Sequence, residues 1–316
     1  MTNISPASQS SSHQHLPTLK SLLSQKHILF LTETGSKSMS LSAPNSDIDL
    51  RFIYVENLDF YLKVHQAMAH GRTKAVDMHG EVRYKIPEQE SPLGIEIDMV
   101  GYELRRTLNL IAESNPTIFE WLRSGNVEYS YGKTHEELMK LMQKALCKRK
   151  LAMYFFETAR SNLLSYILGN QKQKELVNRK KYIYVMRNLF NVIYMQKYDL
   201  DIPPMDFEVL LEKVVPLFPD DVDKERSIQE EIRELIRRKR AVAGQWEKQE
   251  RVAILDEWIL SVKEPLKKFA VKIPVRDRSG WNWDEMDTYF RNIVLKQYEQ
   301  LPESFEKIVE VYTLDR

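Results

Sequence analysis

Residues 27–55 read HILFLTETGSKSMSLSAPNSDIDLRFIYV, and this stretch decides the fold. It begins with a short apolar run rich in β-formers, residues 27–32, which predicts a buried strand bounded by Gly35. Turn-forming residues occupy positions 43–46, and a second strand-like run follows at residues 48–55. The stretch therefore predicts two strands joined by a polar connection.

Aspartates accompany the strand-like runs. Side chains two residues apart on a strand project from one face, so Asp47 and Asp49 can point at one place while Ile48 enters the core. A further run, residues 95–100, alternates acidic and aliphatic residues and contains Asp98. Convergent carboxylates repel one another unless a cation lies between them. The sequence therefore predicts a Mg²⁺ site, with Mn²⁺ as the alternative ion.

The residues that end the first strand suit a phosphate group. Gly35 permits a tight turn and lets the backbone N–H groups around Ser36 approach an anion, although a plain strand-to-loop turn has the same appearance. An Asp-x-Asp motif alone is weak evidence, because Asp199-Leu200-Asp201 has the same form and is typical of a turn before Pro203. The prediction depends on the turn and the aspartates occurring together.

The hydrophobic periodicity becomes helical beyond Gly101. Apolar residues recur at helical spacing in residues 102–113, and Asn115 with Pro116 predicts the N-cap and first residue of the next helix. Further helices are predicted at residues 137–148, 152–168, 179–196, 207–215, 227–240, 252–263 and 283–298. We therefore predict an α+β fold, with a small mixed-sheet head at residues 16–132 and an all-helical domain at residues 133–316.

Composition and charge exclude several classes of protein. The 46 lysines and arginines balance 45 aspartates and glutamates, so any contact with nucleic acid is expected to be local. The single Cys147 excludes an internal disulfide, and no apolar run has the roughly 18 residues that a membrane span requires. Residues 1–15 are polar and predict a disordered tail rather than a secretory signal. We expect a soluble protein of the cytoplasm.

The spacing of these motifs resembles a known superfamily. Gly35-Ser36, followed after ten residues by Asp47-x-Asp49, is similar to the signature of the DNA polymerase beta superfamily of nucleotidyltransferases. More narrowly, the chain resembles the RNA-repair-pathway polymerase-beta-like family, of the YcgL or RlaP type, over about residues 27–260. The segments that carry this resemblance are residues 46–55, 97–104, 114–117, 120–122, 180–187 and 203–207.

The resemblance implies transfer of a nucleoside monophosphate from a nucleoside triphosphate to an acceptor hydroxyl. Asp47 and Asp49 would hold the metal that binds the nucleotide, and Asp98 would complete a second metal site. Gly35 and Ser36 would hold the β and γ phosphates. Glu96 lies two residues before Asp98 and competes for the third-ligand role. Asp98 is preferred because it precedes the Met-Val-Gly segment that matches the family.

Two cationic segments allow alternative interpretations. Lys180, Tyr184 and Arg187 fall on one face of a predicted helix, which is either a nucleotide-binding face or a solvated amphipathic face. The match to the family favours binding. The run of cations at residues 237–240 follows an acidic stretch at residues 230–234, and this pattern predicts a salt-bridged surface rather than an RNA site.

Three functions are therefore compatible with the sequence. The leading hypothesis is a nucleotidyltransferase that acts on RNA, at tRNA ends or in RNA repair. The second is an adenylyltransferase whose acceptor is a protein or a small molecule, which the balanced net charge mildly favours. The third is a catalytically inactive nucleotide-binding module, against which the joint presence of three aspartates and the Gly-Ser pair argues.

Overall fold

The computed structural model describes residues 27–62, 80–91, 93–169, 175–217, 221–244, 246–275 and 282–297. The predicted disordered tail, residues 1–15, lies outside the described residues. Within them, the chain forms a mixed sheet in its first part and mostly helices afterwards, so the predicted α+β class is confirmed.

The sheet has five strands, in the spatial order β3-β4-β2-β1-β5. The strands are β1 His27–Glu33, β2 Ile48–Val55, β3 Glu81–Ile86, β4 Ile97–Glu103 and β5 Val127–Ser130. Strands β2 and β4 are parallel, and the other neighbours are antiparallel. The sequence predicted β1, β2 and β4 but not β3 and β5. The missing two are edge strands in which polar side chains outnumber buried ones, so their apolar signal is weak.

Short helices connect the strands. They are α1 Gly35–Ser38, α2 Leu58–Leu62, α3 Leu104–Ala112 and α4 Pro116–Leu122. The helix predicted to begin at residue 102 begins two residues later, because Tyr102 and Glu103 end β4. The Glu103 carboxylate accepts hydrogen bonds from the Arg105 and Arg106 backbone N–H groups and so caps α3. Asn115 caps α4 as predicted, with its side chain accepting from Thr117.

The rest of the chain is helical except for one small strand pair. The helices are α5 Thr134–Ala145, α6 Lys148–Asn162, α7 Lys180–Lys197, α8 Phe207–Val214, α9 Val222–Ala241, α10 Ala253–Lys272 and α11 Trp283–Gln297. A π-helix, Leu163–Leu168, continues α6. The prediction of helices alone was wrong at β6 Leu176–Val177 and β7 Gln249–Glu250, which are too short to carry a periodic signal.

The two faces of the sheet pack differently. Ile48, Leu50, Phe52 and Tyr54 of β2 belong to a smaller hydrophobic cluster. Ile53 and Val55 belong to the main hydrophobic cluster, which continues through the helices as far as Ile293. Because side chains alternate along β2, the residues that precede Ile53 on its face, including Asp49, lie on the side of the helices. The predicted boundary between residues 132 and 133 stays a prediction, since this cluster includes residues from both sides of it.

Candidate active site

The Gly35 turn is pressed against the aspartate of the neighbouring strand. The Thr34 backbone N–H donates to the Asp49 carbonyl oxygen at 2.8 Å, which holds the end of β1 beside β2. Gly35 has φ of +64°, and a Cβ atom at this position would lie 1.9 Å from the Asp49 carboxylate oxygen Oδ2. Only glycine satisfies both the backbone angle and the close approach. The conformation of the turn is thus coupled to the position of the carboxylate.

Three aspartates occupy neighbouring positions at one corner of the sheet. Asp49 and Asp98 occupy matched positions on the parallel strands β2 and β4, and Asp47 directly precedes β2. Ile48 between the aspartates is 7% exposed and enters the smaller cluster, as the alternation predicts. The Glu96 carboxylate forms an ion pair with Lys85 on β3, at 2.9 Å. The register therefore places Asp98, rather than Glu96, opposite Asp49.

Arg51 joins two of these carboxylates, and the sequence reasoning missed it. Its Nη2 atom lies 3.0 Å from Asp49 Oδ1 and 2.9 Å from Asp98 Oδ2. Its Nη1 atom donates to the carbonyl oxygens of Leu50 and Asp98. Arg51 follows Asp49 by two residues on the same strand face, and this spacing is the sequence signal that could have revealed it.

The electrostatics of the corner suit a cation. The pKa of Asp49 is raised, first because burial penalises its charged form and then because Asp98 and Asp47 repel it, while Arg51 opposes the shift. Among the described residues, no three acidic, histidine or cysteine side chains already converge as a metal site. The donor chemistry nevertheless fits Mg²⁺, because neighbouring carboxylates that repel one another are relieved by a hard divalent ion.

Two lysines face the aspartates from the helices. Lys180 Nζ donates to the Gly244 carbonyl oxygen at 3.0 Å, and Lys239 is 3% exposed. Burial lowers the pKa of both lysines, and attraction to Asp47 opposes the shift in each. The pKa of Lys239 is lowered further by repulsion from Lys180, and attraction to Asp49 also opposes its shift. The ammonium groups of both lysines therefore lie close enough to the aspartates to interact with them electrostatically.

The prediction of a salt-bridged surface at residues 237–240 was right for Arg237 and Arg240 and wrong for Lys239, while Arg238 donates to the Gln249 side chain. Arg237 pairs with Glu234 one helical turn back, and Arg240 pairs with Glu208 on α8. Lys239 instead belongs to the buried face of α9 and lines the cleft beside Asp47. Its aliphatic stem takes a position that an apolar residue would otherwise occupy.

The cleft between the sheet and the helices has two lobes. The first, here called the lysine lobe, has a volume of about 290 Å³ and is lined by Ser36, Ser46, Asp47, Lys180, Lys239 and Gly244. The second, here called the amide lobe, has a volume of about 300 Å³ and is lined by Arg51, Glu120, Thr158, Asn162, Arg187 and Asn188, among others. Both lobes share Gly35, Met39, Asp49 and Tyr184. They therefore meet at the turn and the central carboxylate.

The predicted binding helix faces this cleft. Lys180 and Tyr184 line the lysine lobe, whereas Tyr184 and Arg187 line the amide lobe. The pKa of Tyr184 is raised by burial and next by the negative charge of Asp49. Arg187 is 6% exposed and lies 3.5 Å from Glu120. The structure thus places all three residues along one cleft, with Tyr184 at the junction of the lobes.

Comparison with known proteins agrees with this architecture. The sequence model of the RNA repair pathway DNA polymerase beta family, RlaP, matches residues 9–292. The chain belongs to the RNA repair pathway DNA polymerase beta family. A relative from Bacillus subtilis (strain 168), the uncharacterized protein YcgL, is 32% identical over 213 residues, which cover 67% of this chain and 70% of that protein.

As a member of this RNA repair family, the chain has the polymerase-beta-like nucleotidyltransferase character that the sequence motifs indicated. The match extends beyond both ends of the resemblance recognised from the motifs, which covered about residues 27–260. In the described part of the chain, no helix combines the length and the apolar character needed to cross a membrane.

Proposed function

We propose that this chain is a metal-dependent nucleotidyltransferase that moves a nucleoside monophosphate from a nucleoside triphosphate to a hydroxyl group of RNA. The observation that carries the proposal is the matched position of Asp49 and Asp98 on parallel strands, with the Gly35 turn in contact with Asp49. The family's place in an RNA repair pathway supports RNA as the acceptor, at a tRNA end or a repaired break.

In this reaction the acceptor oxygen forms a bond to the α-phosphorus of the nucleotide. The bond between that phosphorus and the bridging oxygen breaks, pyrophosphate leaves, and the hydroxyl proton is lost. Asp47, Asp49 and Asp98 would hold Mg²⁺, which when bound stabilises negative charge on the attacking and leaving oxygens. Asp98 has the more exposed carboxylate, at 39% against 30% for Asp49. We therefore assign the acceptor to the side of Asp98.

The lysine lobe suits the β and γ phosphates. The Gly35 turn offers backbone N–H groups, and Ser36 and Ser46 add hydroxyl donors at its wall. Lys180 and Lys239 would neutralise the charge of a triphosphate and of the departing pyrophosphate. The repulsion between the two lysines makes an anion in this lobe favourable.

A second candidate function uses the same chemistry with a different acceptor. The formal net charge is +1, and the basic residues are balanced by acidic ones, whereas proteins dedicated to binding RNA usually carry a strongly basic surface. This balance favours a protein or small-molecule acceptor for the nucleotidyl group. A binding module without catalysis would have no need of the carboxylate corner.

The test is incubation of the purified protein with each α-labelled nucleoside triphosphate, Mg²⁺ and total RNA, total protein or no acceptor. We expect label in the RNA fraction with the native protein and none with Asp47→Asn. The matched control is Asp199→Asn, which alters the exposed Asp-x-Asp motif at a positive φ that asparagine also tolerates. Label only in the protein fraction, or only in a new small-molecule product, would favour the second candidate, and the absence of any labelled product would contradict a transferase.

A further inference from the structure

Two asparagines in the amide lobe have fixed orientations. The Asn188 side-chain Nδ2 donates to the Tyr184 backbone carbonyl at 2.8 Å, and the Asn162 Nδ2 donates to the Thr158 carbonyl at 3.0 Å. A carbonyl oxygen only accepts, so the NH₂ group of each amide must face its own helix. The Oδ1 atoms of both amides are thereby left for other partners.

The side-chain carbonyl oxygens of both asparagines can accept hydrogen bonds from a ligand. Asn188 is 6% exposed and lines the amide lobe, yet its Oδ1 receives no hydrogen bond from any residue that the structure describes. The same holds for Oδ1 of Asn162. Neither oxygen is fully buried, so both are accessible from the lobe and a ligand that brings donors can pair with them.

Glu120 adds a third acceptor to the same lobe. Its carboxylate contacts Arg187 Nη1 at the long distance of 3.5 Å, which leaves most of its lone pairs available. The two arginines that line this lobe offer few free donors to a ligand. Arg51 is held by Asp49 and Asp98, and the Arg187 Nε atom is buried away from any ligand and has no partner in the described part of the chain.

The walls of the amide lobe suit a flat ring. Met39 and Met205 line it, together with Trp121, which is stacked on Tyr102 at 4.2 Å between ring centroids. Apolar side chains beside convergent polar groups are also found together in small-molecule sites, and the lining of this lobe combines both. The lobe shares Gly35, Asp49 and Tyr184 with the lysine lobe, so the nucleoside would extend into it if the phosphates occupy the lysine lobe.

We propose that the amide lobe selects nucleoside triphosphates whose base carries an exocyclic amino group, through Asn188, Asn162 and Glu120. This inference rests on the proposed function. Adenine, guanine and cytosine each present an amino group, whereas uracil and hypoxanthine present carbonyl oxygens and a single ring N–H. With uracil or hypoxanthine, a carbonyl oxygen would stand where the amino group donates, and the single ring N–H could pair with only one of the three acceptors. The site therefore discriminates against UTP and ITP.

The experiment is calorimetric titration of the full-length protein with ATP, GTP, CTP, ITP and UTP, in Mg²⁺ and without acceptor. ITP is the matched control for ATP and GTP, and UTP is the matched control for CTP. We expect the amino-bearing nucleotides that bind to do so about tenfold or more tightly than their controls, as one additional hydrogen bond to an acceptor of the lobe implies. Equal affinities for ATP and ITP and for CTP and UTP would overturn the inference.

Variants show whether the named residues cause the preference. The double variant Asn162→Ala with Asn188→Ala should bring the affinities for ATP and ITP together while leaving the affinity for ITP unchanged. Asn109→Ala, at an exposed position on α3, should preserve the full preference. A preference that persists in the double variant would contradict the assignment of these amides. A loss of affinity with dATP but not with ITP would assign the acceptors to the ribose hydroxyls and overturn the inference.

Inorganic tripolyphosphate separates this inference from the proposed function. Binding of tripolyphosphate, with nucleotides that all bind equally, would reject base selection and keep the phosphate site. No binding of tripolyphosphate or of any nucleotide would reject both.

Discussion

The Asp49 carboxylate lies over the α-carbon of Gly35 so closely that no side chain fits between the two residues. A Cβ atom at Gly35 would lie 1.9 Å from Oδ2 and 2.8 Å from Cγ of Asp49. The carboxylate must therefore move if residue 35 gains a side chain. The close contact makes the turn and the strand parts of one site.

The first prediction concerns this contact. We expect Gly35→Ala to abolish nucleotidyl transfer, because the new methyl group displaces the Asp49 carboxylate. The matched control is Gly132→Ala, since Gly132 also has a positive φ, +53°, but has no atom within 4 Å of its virtual Cβ. Both variants carry the backbone cost of about 1–2 kcal/mol, visible in thermal denaturation, and only Gly35→Ala should lose activity. Equal activity in the two variants would contradict the role of the contact.

The second prediction distinguishes Asp98 from Glu96. Asp98→Asn should reduce the rate of transfer by roughly a hundredfold or more, because it removes a charge at the reacting centre. Glu96→Gln should leave the rate near that of the native protein, because Glu96 pairs with Lys85 instead. Steady-state rates with labelled nucleotide provide the measurement. A larger loss in Glu96→Gln would exchange the roles of the two residues.

The third prediction concerns the cost of burying Lys239. At neutral pH its buried ammonium group opposes folding, as the lowered pKa indicates, so Lys239→Met should raise the free energy of unfolding. A lowered pKa in the folded state adds stability only above the unfolded pKa, and this stability is lost as pH falls through the folded pKa. The advantage of Lys239→Met should therefore be largest near neutral pH and vanish above the ordinary lysine pKa of 10.5.

The same variant should bind phosphate less well. We expect Lys239→Met to weaken tripolyphosphate binding by about tenfold, as loss of one charged hydrogen bond implies. Denaturation at several pH values and calorimetry give the two readouts. Lys268→Met, at an exposed position of α10, is the control and should change neither. If Lys239→Met were less stable than the native protein and bound tripolyphosphate normally, Lys239 would not be a buried cation that binds phosphate.

The fourth prediction concerns Arg51 as the internal partner of the carboxylates. Arg51→Ala removes the cation between Asp49 and Asp98 and increases their mutual repulsion. We expect the rise in melting temperature on addition of Mg²⁺ to be larger in this variant than in the native protein, because the ion relieves a greater repulsion. Arg83→Ala, which removes an exposed cation paired with Glu81, should respond to Mg²⁺ as the native protein does. An unchanged response in Arg51→Ala would argue against metal binding at this corner.

The strands that carry the site were predictable because their apolar signal is strong. Strands β1, β2 and β4 are buried on both faces over most of their length, and Asp49 and Arg51 interrupt the apolar pattern of β2. Strands β3 and β5 lie at the edges, where few of their side chains are buried and the apolar pattern is diluted. The sequence therefore revealed the centre of the sheet and not its borders.

Lys239 shows a different limit of sequence reasoning. In a run of four cations its charge suggested solvent, but Ile228, Ile232 and Leu235 form a buried stripe of α9 that continues to residue 239 at helical spacing. The phase of this stripe, rather than the charge of the residue, decides the side on which Lys239 lies. No pattern in the sequence indicated that Asn162 and Asn188 lie in one lobe, because only the packing of α6 against α7 brings them together.

The single hydrophobic cluster that includes both Leu29 on β1 and Ile293 on α11 limits how this protein can be divided. A fragment that ends at residue 132 would lose the helices that cover one face of its sheet and would expose that apolar face to water. We therefore expect residues 16–132 to be less stable when they are expressed without the helices that follow them. New specificity in such a chain is more easily acquired by substitutions along the cleft than by exchange of its helical half.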